Sequence, residues 1–261
     1  MCSTDKAGER GNLNEERLDR MSLYKITPLH LGDITRPKSN MIYGYEGKEV
    51  QDFPLIAYYL EGEHKILVDT GGSSPDSEAG KKAAPYKRSA DQELGNALRA
   101  IGVSPEDIEY VIFTHLHWDH AGNNHLFPHA TMLCQKSELE GISDGEDAGK
   151  GYDIDYISGF QYRMIDGDQK LFNGISVILA PGHTVGMQCV AAETDAGVVL
   201  LTGDLITLRE SLSYDPPRFN ALLYSESAFE VAQRSFDKLT GISQLVLPGH
   251  DPGVFAPGMG L

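Results

Sequence analysis

The sequence predicts an α/β fold in two halves, each made of strands followed by a helix. Two observations carry this expectation. Short β-branched and aromatic runs recur along the chain, and several end at a glycine turn that carries His or Asp. Between the halves of the pattern, Leu94, Leu98 and Ile101 recur at helical spacing with Gly102 closing the segment, and a second helix is expected around 225–239. With 261 residues, the chain is long enough to bury one sizeable core.

In order, residues 1–20 are polar and without an apolar face, and are expected to form a flexible tail. A strand begins across Leu23–Leu31. Gly32 to Asp52 then reads as a long connection carrying Met41, Tyr43 and Tyr45, whose aromatics either wall a pocket or pack the loop. Pro54–Leu60 and Lys65–Asp69 flank Glu61-Gly62-Glu63-His64 as a hairpin. Residues 73–90 read as a polar loop, with the first helix following from Ser89. Ser104-Pro105-Glu106-Asp107 opens a short helical turn before the strand Tyr110–Phe113. Strand Ala130–Cys134 precedes a turn or helix from Ser137, and 141–160 reads as a mobile insertion. Strands follow at Ile175–Leu179, Gln188–Ala192, Gly197–Leu201 and Leu245–Leu247.

The chemistry concentrates in Thr114-His115-Leu116-His117-Trp118-Asp119-His120-Ala121-Gly122. Four metal-capable side chains fall within six residues as H-x-H-x-D-H. On an extended backbone alternate side chains share a face, so His115 and His117 can grip one ion. Beyond the bend, Asp119 and His120 can turn to a second. Imidazole with carboxylate suits zinc first, with iron, manganese or cobalt as alternatives. Three later turns repeat the device of a ligand delivered at a strand end: Pro-Gly-His183, Thr-Gly-Asp204 and Pro-Gly-His250. Five of the nine histidines lie in these four places.

Composition removes several classes. A net charge of −16 argues against nucleic acid as a partner, since phosphate binding needs a basic footprint, and against anionic membranes. No apolar run approaches the roughly 20 residues that span a bilayer, and the N-terminus carries no secretory signal pattern. Three scattered cysteines make neither a disulfide framework nor a thiolate zinc site, so a reducing cytoplasm is the expected home.

On these motifs the sequence resembles the metallo-β-lactamase superfamily over roughly residues 23–256, and within it the N-acyl-homoserine lactonase group. The supporting stretches include Phe53-Pro54-Leu55, the 114–122 motif, Gly182-His183-Thr184, Leu201-Thr202-Gly203-Asp204 and Leu247-Pro248-Gly249-His250-Asp251-Pro252. The resemblance implies a four-layer αβ/βα sandwich over 21–261, two mixed β-sheets flanked by helices. It implies two divalent ions, one on His115, His117 and His183, the other on Asp119, His120 and His250, with Asp204 bridging. Asp69 is implied to support a ligand histidine from behind. A homodimer is expected on the same ground.

The implied reaction is opening of a lactone ring, with N-acyl-homoserine lactones the leading substrates. An ion lowers the pKa of its water from about 15.7 to about 7 and supplies hydroxide at neutral pH. A second stabilises the charge on the carbonyl oxygen. Asp119 or Asp204 then returns a proton to the leaving alkoxide. The sequence departs from several of those lactonases at Thr207, which stands where they place a tyrosine hydroxyl. The oxyanion role then falls to Thr207, to Tyr214 or Tyr224, to a loop tyrosine, or to the metal. Tyr43, Tyr45, Thr207 and Tyr224 are thus the expected substrate contacts. Thioester or other ester hydrolysis of the glyoxalase II kind is the alternative, and a non-catalytic metal-binding domain a third. Trp118 is expected to pack behind the ions, His125 and His129 to lie at the surface, and Arg209 and Arg218 to form exposed salt bridges.

Overall fold

The structure, a computed structural model, describes residues 23–144, 151–243 and 245–256. The predicted tail at 1–20 lies outside them, as does part of the predicted insertion at 141–160.

Two sheets form the centre. The first has the order β4-β1-β2-β3-β5-β6-β7. Its strands are β1 (Lys25–Pro37), β2 (Val50–Glu61), β3 (Lys65–Val68), β4 (Tyr86–Lys87), β5 (Tyr110–Ile112), β6 (Thr131–Gln135) and β7 (Tyr162–Ile165). The second has the order β12-β11-β10-β9-β8. It contains β8 (Gln169–Phe172), β9 (Ile175–Leu179), β10 (Gln188–Thr194), β11 (Gly197–Leu201) and β12 (Leu245–Leu247). Both sheets are mixed: β3, β5, β6 and β7 run parallel in one, β11 and β12 in the other.

Alternation along the strands builds the layers. On β2, Phe53, Leu55, Ala57 and Tyr59 point to an outer core, while Ile56, Tyr58 and Leu60 point to an inner one. The outer core also holds Leu94 and Leu98 from helix α2 (Leu94–Ala100). The inner core joins the two sheets through Val68, Ile112, Leu133, Val177, Val190 and Leu201. A third core packs Cys189, Ala191 and Leu200 against Ala232, Phe236 and Leu239 of α5 (Phe229–Ile242). Three apolar cores between four layers give the αβ/βα sandwich that the sequence led us to expect. Strands buried on both faces read as continuous apolar runs, which is why β2 shows no polar alternation.

Several boundaries differ from expectation. β1 does not stop at Leu31. It passes through an irregularity between His30 and Asp33, where Gly32 adopts φ +121°, and continues to Pro37. A β-carbon on Gly32 would sit 2.9 Å from the Lys87 carbonyl oxygen, so the bulge needs glycine. The connection to β2 therefore shrinks to 38–49. The polar loop at 73–90 contains helix α1 (Glu78–Lys82) and β4. Ala90–Gln92 is a 3-10 turn preceding α2, because Glu93 is extended. The strands β7 and β8 carry too few alternating apolar residues to have been expected. Helix α3 (Lys136–Asp144) follows β6, and a single turn, α4 (Ile154–Ile157), lies within the predicted insertion.

Candidate metal centre

The metal-capable side chains gather where strands end. β3 runs into Asp69, β5 into the 114–122 loop, β9 into His183, β11 into Asp204 and β12 into His250. Because β3 and β5 are parallel neighbours, as are β11 and β12, these loops emerge at one edge of the sandwich.

Three groups of donors each lie within 4.8 Å of one another: His115, His117 and His183; His115, His120 and Asp204; Asp119, His120 and His250. Asp204 stands between them. Its Oδ1 is 3.2 Å from both His120 Nε2 and His250 Nε2, and its Oδ2 is 3.5 Å from His183 Nε2. Asp119 Oδ2 is 3.7 Å from His250 Nε2 and 4.0 Å from His120 Nε2.

The imidazoles are fixed from behind. His120 Nδ1 donates to Asp69 Oδ2 at 2.8 Å, His183 Nδ1 to the Leu222 carbonyl at 2.6 Å, and His250 Nδ1 to the Pro54 carbonyl at 2.9 Å. Each bond fixes one tautomer and leaves Nε2 facing inward. His115 Nδ1 meets Thr114 Oγ1 at 3.2 Å, and that hydroxyl donates to Asp69 Oδ2 at 2.7 Å. His117 is set differently, with Nδ1 directed at His183 Nε2, 2.9 Å away.

This donor set fits divalent cations. His115 Nε2, His120 Nε2 and Asp204 Oδ1 are buried and form no hydrogen bond among the described residues, an arrangement proteins avoid unless a further ligand completes it. Burial opposes charge on Asp204, yet the neighbouring His250 and His120 hold its carboxyl well below the usual range. Burial likewise opposes protonation of His120, but Asp204, Asp69 and Asp119 raise it well above the ordinary imidazole value. At His115, burial and then the surrounding imidazoles push it well below. An ionised Asp204 and a neutral His115 are the forms that hold a cation, whereas the carboxylates around His120 and His250 raise both imidazoles, which release a proton when an ion binds.

A cavity of about 260 Å³ opens over the cluster. Asp119, Asp204, His117, His183 and His250 form its floor, Ile34, Met41, Leu222 and Leu223 give apolar walls, and Arg36, Asn40, Asn220 and Tyr224 add polar ones.

The metallo-beta-lactamase superfamily profile matches residues 55–250, three quarters of the chain. The chain belongs to that superfamily. An N-acyl homoserine lactonase of a Bacillus species is 32% identical over 215 residues, covering 78% of this chain and 83% of that protein. A Bacillus thuringiensis AiiA variant with N-decanoyl-L-homoserine at its active site superposes with a TM-score of 0.73 and 27% identity. That match covers 87% of this chain and 93% of the other. A further N-acyl homoserine lactone hydrolase, carrying the product N-hexanoyl-L-homoserine at its catalytic metal centre, matches at 26% identity with the same score and coverage.

Around this superfamily centre the expected substrate contacts divide. Tyr224 lines the cavity. Thr207 does not reach it: the side chain is fully buried and its hydroxyl donates to the Met41 carbonyl at 2.5 Å. Tyr45 donates to Glu49 at 2.9 Å and lies under Lys38 Nζ, 5.1 Å from the ring centroid. Tyr43 packs against Phe219 and Phe229, beside a separate surface hollow. Tyr214 donates to Glu210 at 3.0 Å. Trp118 both lines the cavity and packs edge-on against Tyr86, rather than packing alone. Arg209 and Arg218 form no ion pairs among the described residues. They donate to the carbonyls of Val246 and Gly44, and Arg218 stacks on Tyr214.

Sequence reasoning missed Glu138. It is wholly buried, although Lys136-Ser137-Glu138-Leu139-Glu140 reads as a solvated helix start. It also missed Gly151, whose carbonyl accepts from the Trp118 amide at 2.8 Å and whose Cα faces the His117 ring.

Proposed function

We propose that this protein is a dinuclear metal-dependent lactonase that opens N-acyl-homoserine lactones, with zinc as the metal. The single observation that carries the reading is the convergence of seven metal-capable side chains from four strand ends into one cluster, five of them flooring one cavity. Support also comes from lactonase relatives whose names and bound products state this activity for those proteins.

His115, His117 and His183 would hold one ion, and Asp119, His120 and His250 the other. Asp204 would stand between them, since Oδ1 faces His120 and His250 and Oδ2 faces His183. Held there, divalent ions supply Lewis acidity toward the lactone carbonyl and acidify water.

The chain's own residues do the rest. Asp69, Leu222 and Pro54 keep three imidazoles in the tautomer that presents Nε2. Asp204, engaged by three histidines, is a bridge more than a proton carrier. Asp119 has looser contacts, 3.7 and 4.0 Å, and borders the cavity, so it takes the proton given up by the attacking water and passes it to the ring oxygen as the ester C–O bond breaks. Met41, Leu222 and Leu223 offer an apolar path for the first carbons of an acyl arm, and the cavity's volume suits the lactone head with a short length of chain. Tyr224 lines the same cavity on its polar side. A reducing compartment is consistent with Cys134 and Cys189 as buried free thiols.

The test is a panel of N-acyl-homoserine lactones, thioesters and aryl esters assayed on protein of defined metal content. Lactone opening abolished by chelator and restored by zinc is the expected result. Thioester rates far above lactone rates would replace the substrate proposed here.

A further inference from the structure

Glu138 lies outside the cluster of expected ligands, yet it touches two of the loops that carry them. From helix α3 its buried carboxylate accepts from Leu116, Tyr152, Thr184 and Gly186 among the described residues. Oε1 accepts from the Leu116 amide at 2.9 Å and from the Tyr152 hydroxyl at 3.2 Å. Oε2 accepts from the Thr184 hydroxyl at 2.6 Å and from the Gly186 amide at 3.2 Å. Burying a carboxylate without such compensation is costly, so its presence in an apolar layer needs these bonds.

The positions of the four donors are selective. Leu116 separates His115 from His117, Thr184 follows His183, and Tyr152 packs on the His117 ring at 4.7 Å between centroids. Every member of the His115–His117–His183 group thus has an adjoining residue bound to one carboxylate. The second group is held elsewhere. The Thr70 amide donates to the His120 carbonyl at 2.6 Å and the Ser73 amide to the Trp118 carbonyl at 3.2 Å. The His250 amide donates to the Thr207 carbonyl at 3.0 Å. None of these contacts involves Glu138. The approach is also tight: a β-carbon on Gly186 would fall 2.0 Å from the Glu138 nitrogen.

We propose that Glu138 is a positioning residue for one ion site only, aligning His115, His117 and His183 by binding the backbone between and beside them. This rests on the reading that the two groups hold two divalent ions. A carboxylate is suited to the task because these four partners are all donors. An amide at the same place offers one accepting oxygen and must turn an NH₂ toward two donors.

The experiment is a cobalt(II) titration of metal-free protein, followed by the visible absorption of the bound ion and by chelator competition, with circular dichroism as the check on folding. Wild type is expected to take up two equivalents. Glu138→Gln should keep one tight site and bind the second at least ten-fold more weakly. In a His183→Ala background Glu138→Gln should add nothing, whereas in a His250→Ala background it should weaken the one ion that remains. Should Glu138→Gln not fold, Thr184→Val removes a single donor and should weaken the same site, while Thr184→Ser restores it.

Equal losses at both sites, unchanged uptake in Glu138→Gln, or unchanged uptake in Thr184→Val would overturn the assignment. A wild-type chain that takes up fewer than two ions overturns it too. No lactone enters the titration, so a chain that binds both ions yet leaves lactones intact defeats the substrate reading alone.

Discussion

Asp69 Oδ2 lies 2.8 Å from His120 Nδ1, and the same oxygen accepts the Thr114 hydroxyl, which in turn meets His115 Nδ1. One carboxylate therefore orients two of the inward-facing histidines, one directly and one through Thr114. Its other oxygen accepts the Thr114 amide at 2.7 Å. Asp69 also carries φ +62°, a left-handed conformation that Asp and Asn tolerate better than other side chains. Asp69→Asn keeps the backbone but loses one accepting oxygen. Metal retention is expected to fall about 10- to 100-fold, the usual scale for such supporting contacts, as read by zinc content after dialysis against a buffered chelator. Asp69→Ala adds about 1–2 kcal/mol of left-handed strain and should also lower the midpoint of urea unfolding.

Asp204 is the residue whose loss should cost most. Both of its oxygens face imidazole nitrogens of the donor groups, and His250 and His120 hold it ionised against the effect of burial. Asp204→Asn removes the charge with little change in volume. Lactone turnover is expected to fall about 10²-fold or more, on the scale of lost electrostatic groups at reacting centres. Near-wild-type rates with both ions retained would show that Asp204 is dispensable.

The donor set was legible in the sequence because metal donors are chemically distinctive and each is delivered locally. H-x-H-x-D-H needs only a strand and a bend, and His183, Asp204 and His250 each announce themselves at a glycine turn. The layered fold was legible in the strands with apolar runs, such as β2, β10 and β11. What could not be read depends on distant partners. Glu138 has the neighbours of a surface helix, and it is buried where the loops arriving from β5 and β9 and Tyr152 close over it. Thr207 stands near Asp204 in sequence, but its direction is set by Met41, 166 residues away. Short strands such as β7 and β8 gain their partners from the sheet rather than from their own pattern.

Gly122 marks the point where the motif loop touches the turn after β3. Its amide donates to the Gly71 carbonyl at 2.8 Å, and a β-carbon there would lie 1.9 Å from the Ser73 nitrogen and 2.3 Å from the Gly72 carbonyl carbon. Both obstacles are backbone, so the loop itself has to move. Gly122→Ala should cost about 1–3 kcal/mol, as overpacking does. Urea unfolding of the metal-free protein measures this separately from any change in ion binding.

Cys134 and Cys189 sit in different cores, and burial pushes both thiols far above their ordinary pKa. The thiolate is the reactive species, so neither should react at neutral pH while the chain is folded. With Cys2 replaced by Ser, native protein is expected to consume almost no Ellman reagent over minutes, and unfolded protein two equivalents. Rapid native labelling would contradict the packing described for either core.

Thr207 separates a structural role from a chemical one. Its hydroxyl ties the segment after Asp204 to Met41, and the Lys38–Glu210 ion pair and the Arg218 contact with the Gly44 carbonyl fasten the same two loops together. Met41 forms part of the cavity wall, so freeing its carbonyl loosens the wall and not the ions. Thr207→Val removes one buried hydrogen bond, worth about 0.5–1.5 kcal/mol, and leaves the carbonyl with an unmet acceptor. KM for N-acyl-homoserine lactones should rise several-fold while turnover stays nearly unchanged, the pattern of lost binding that ground state and transition state share. Turnover reduced by orders of magnitude at unchanged KM would instead put the hydroxyl at the reacting carbonyl, and the wall account of Thr207 would have to be abandoned.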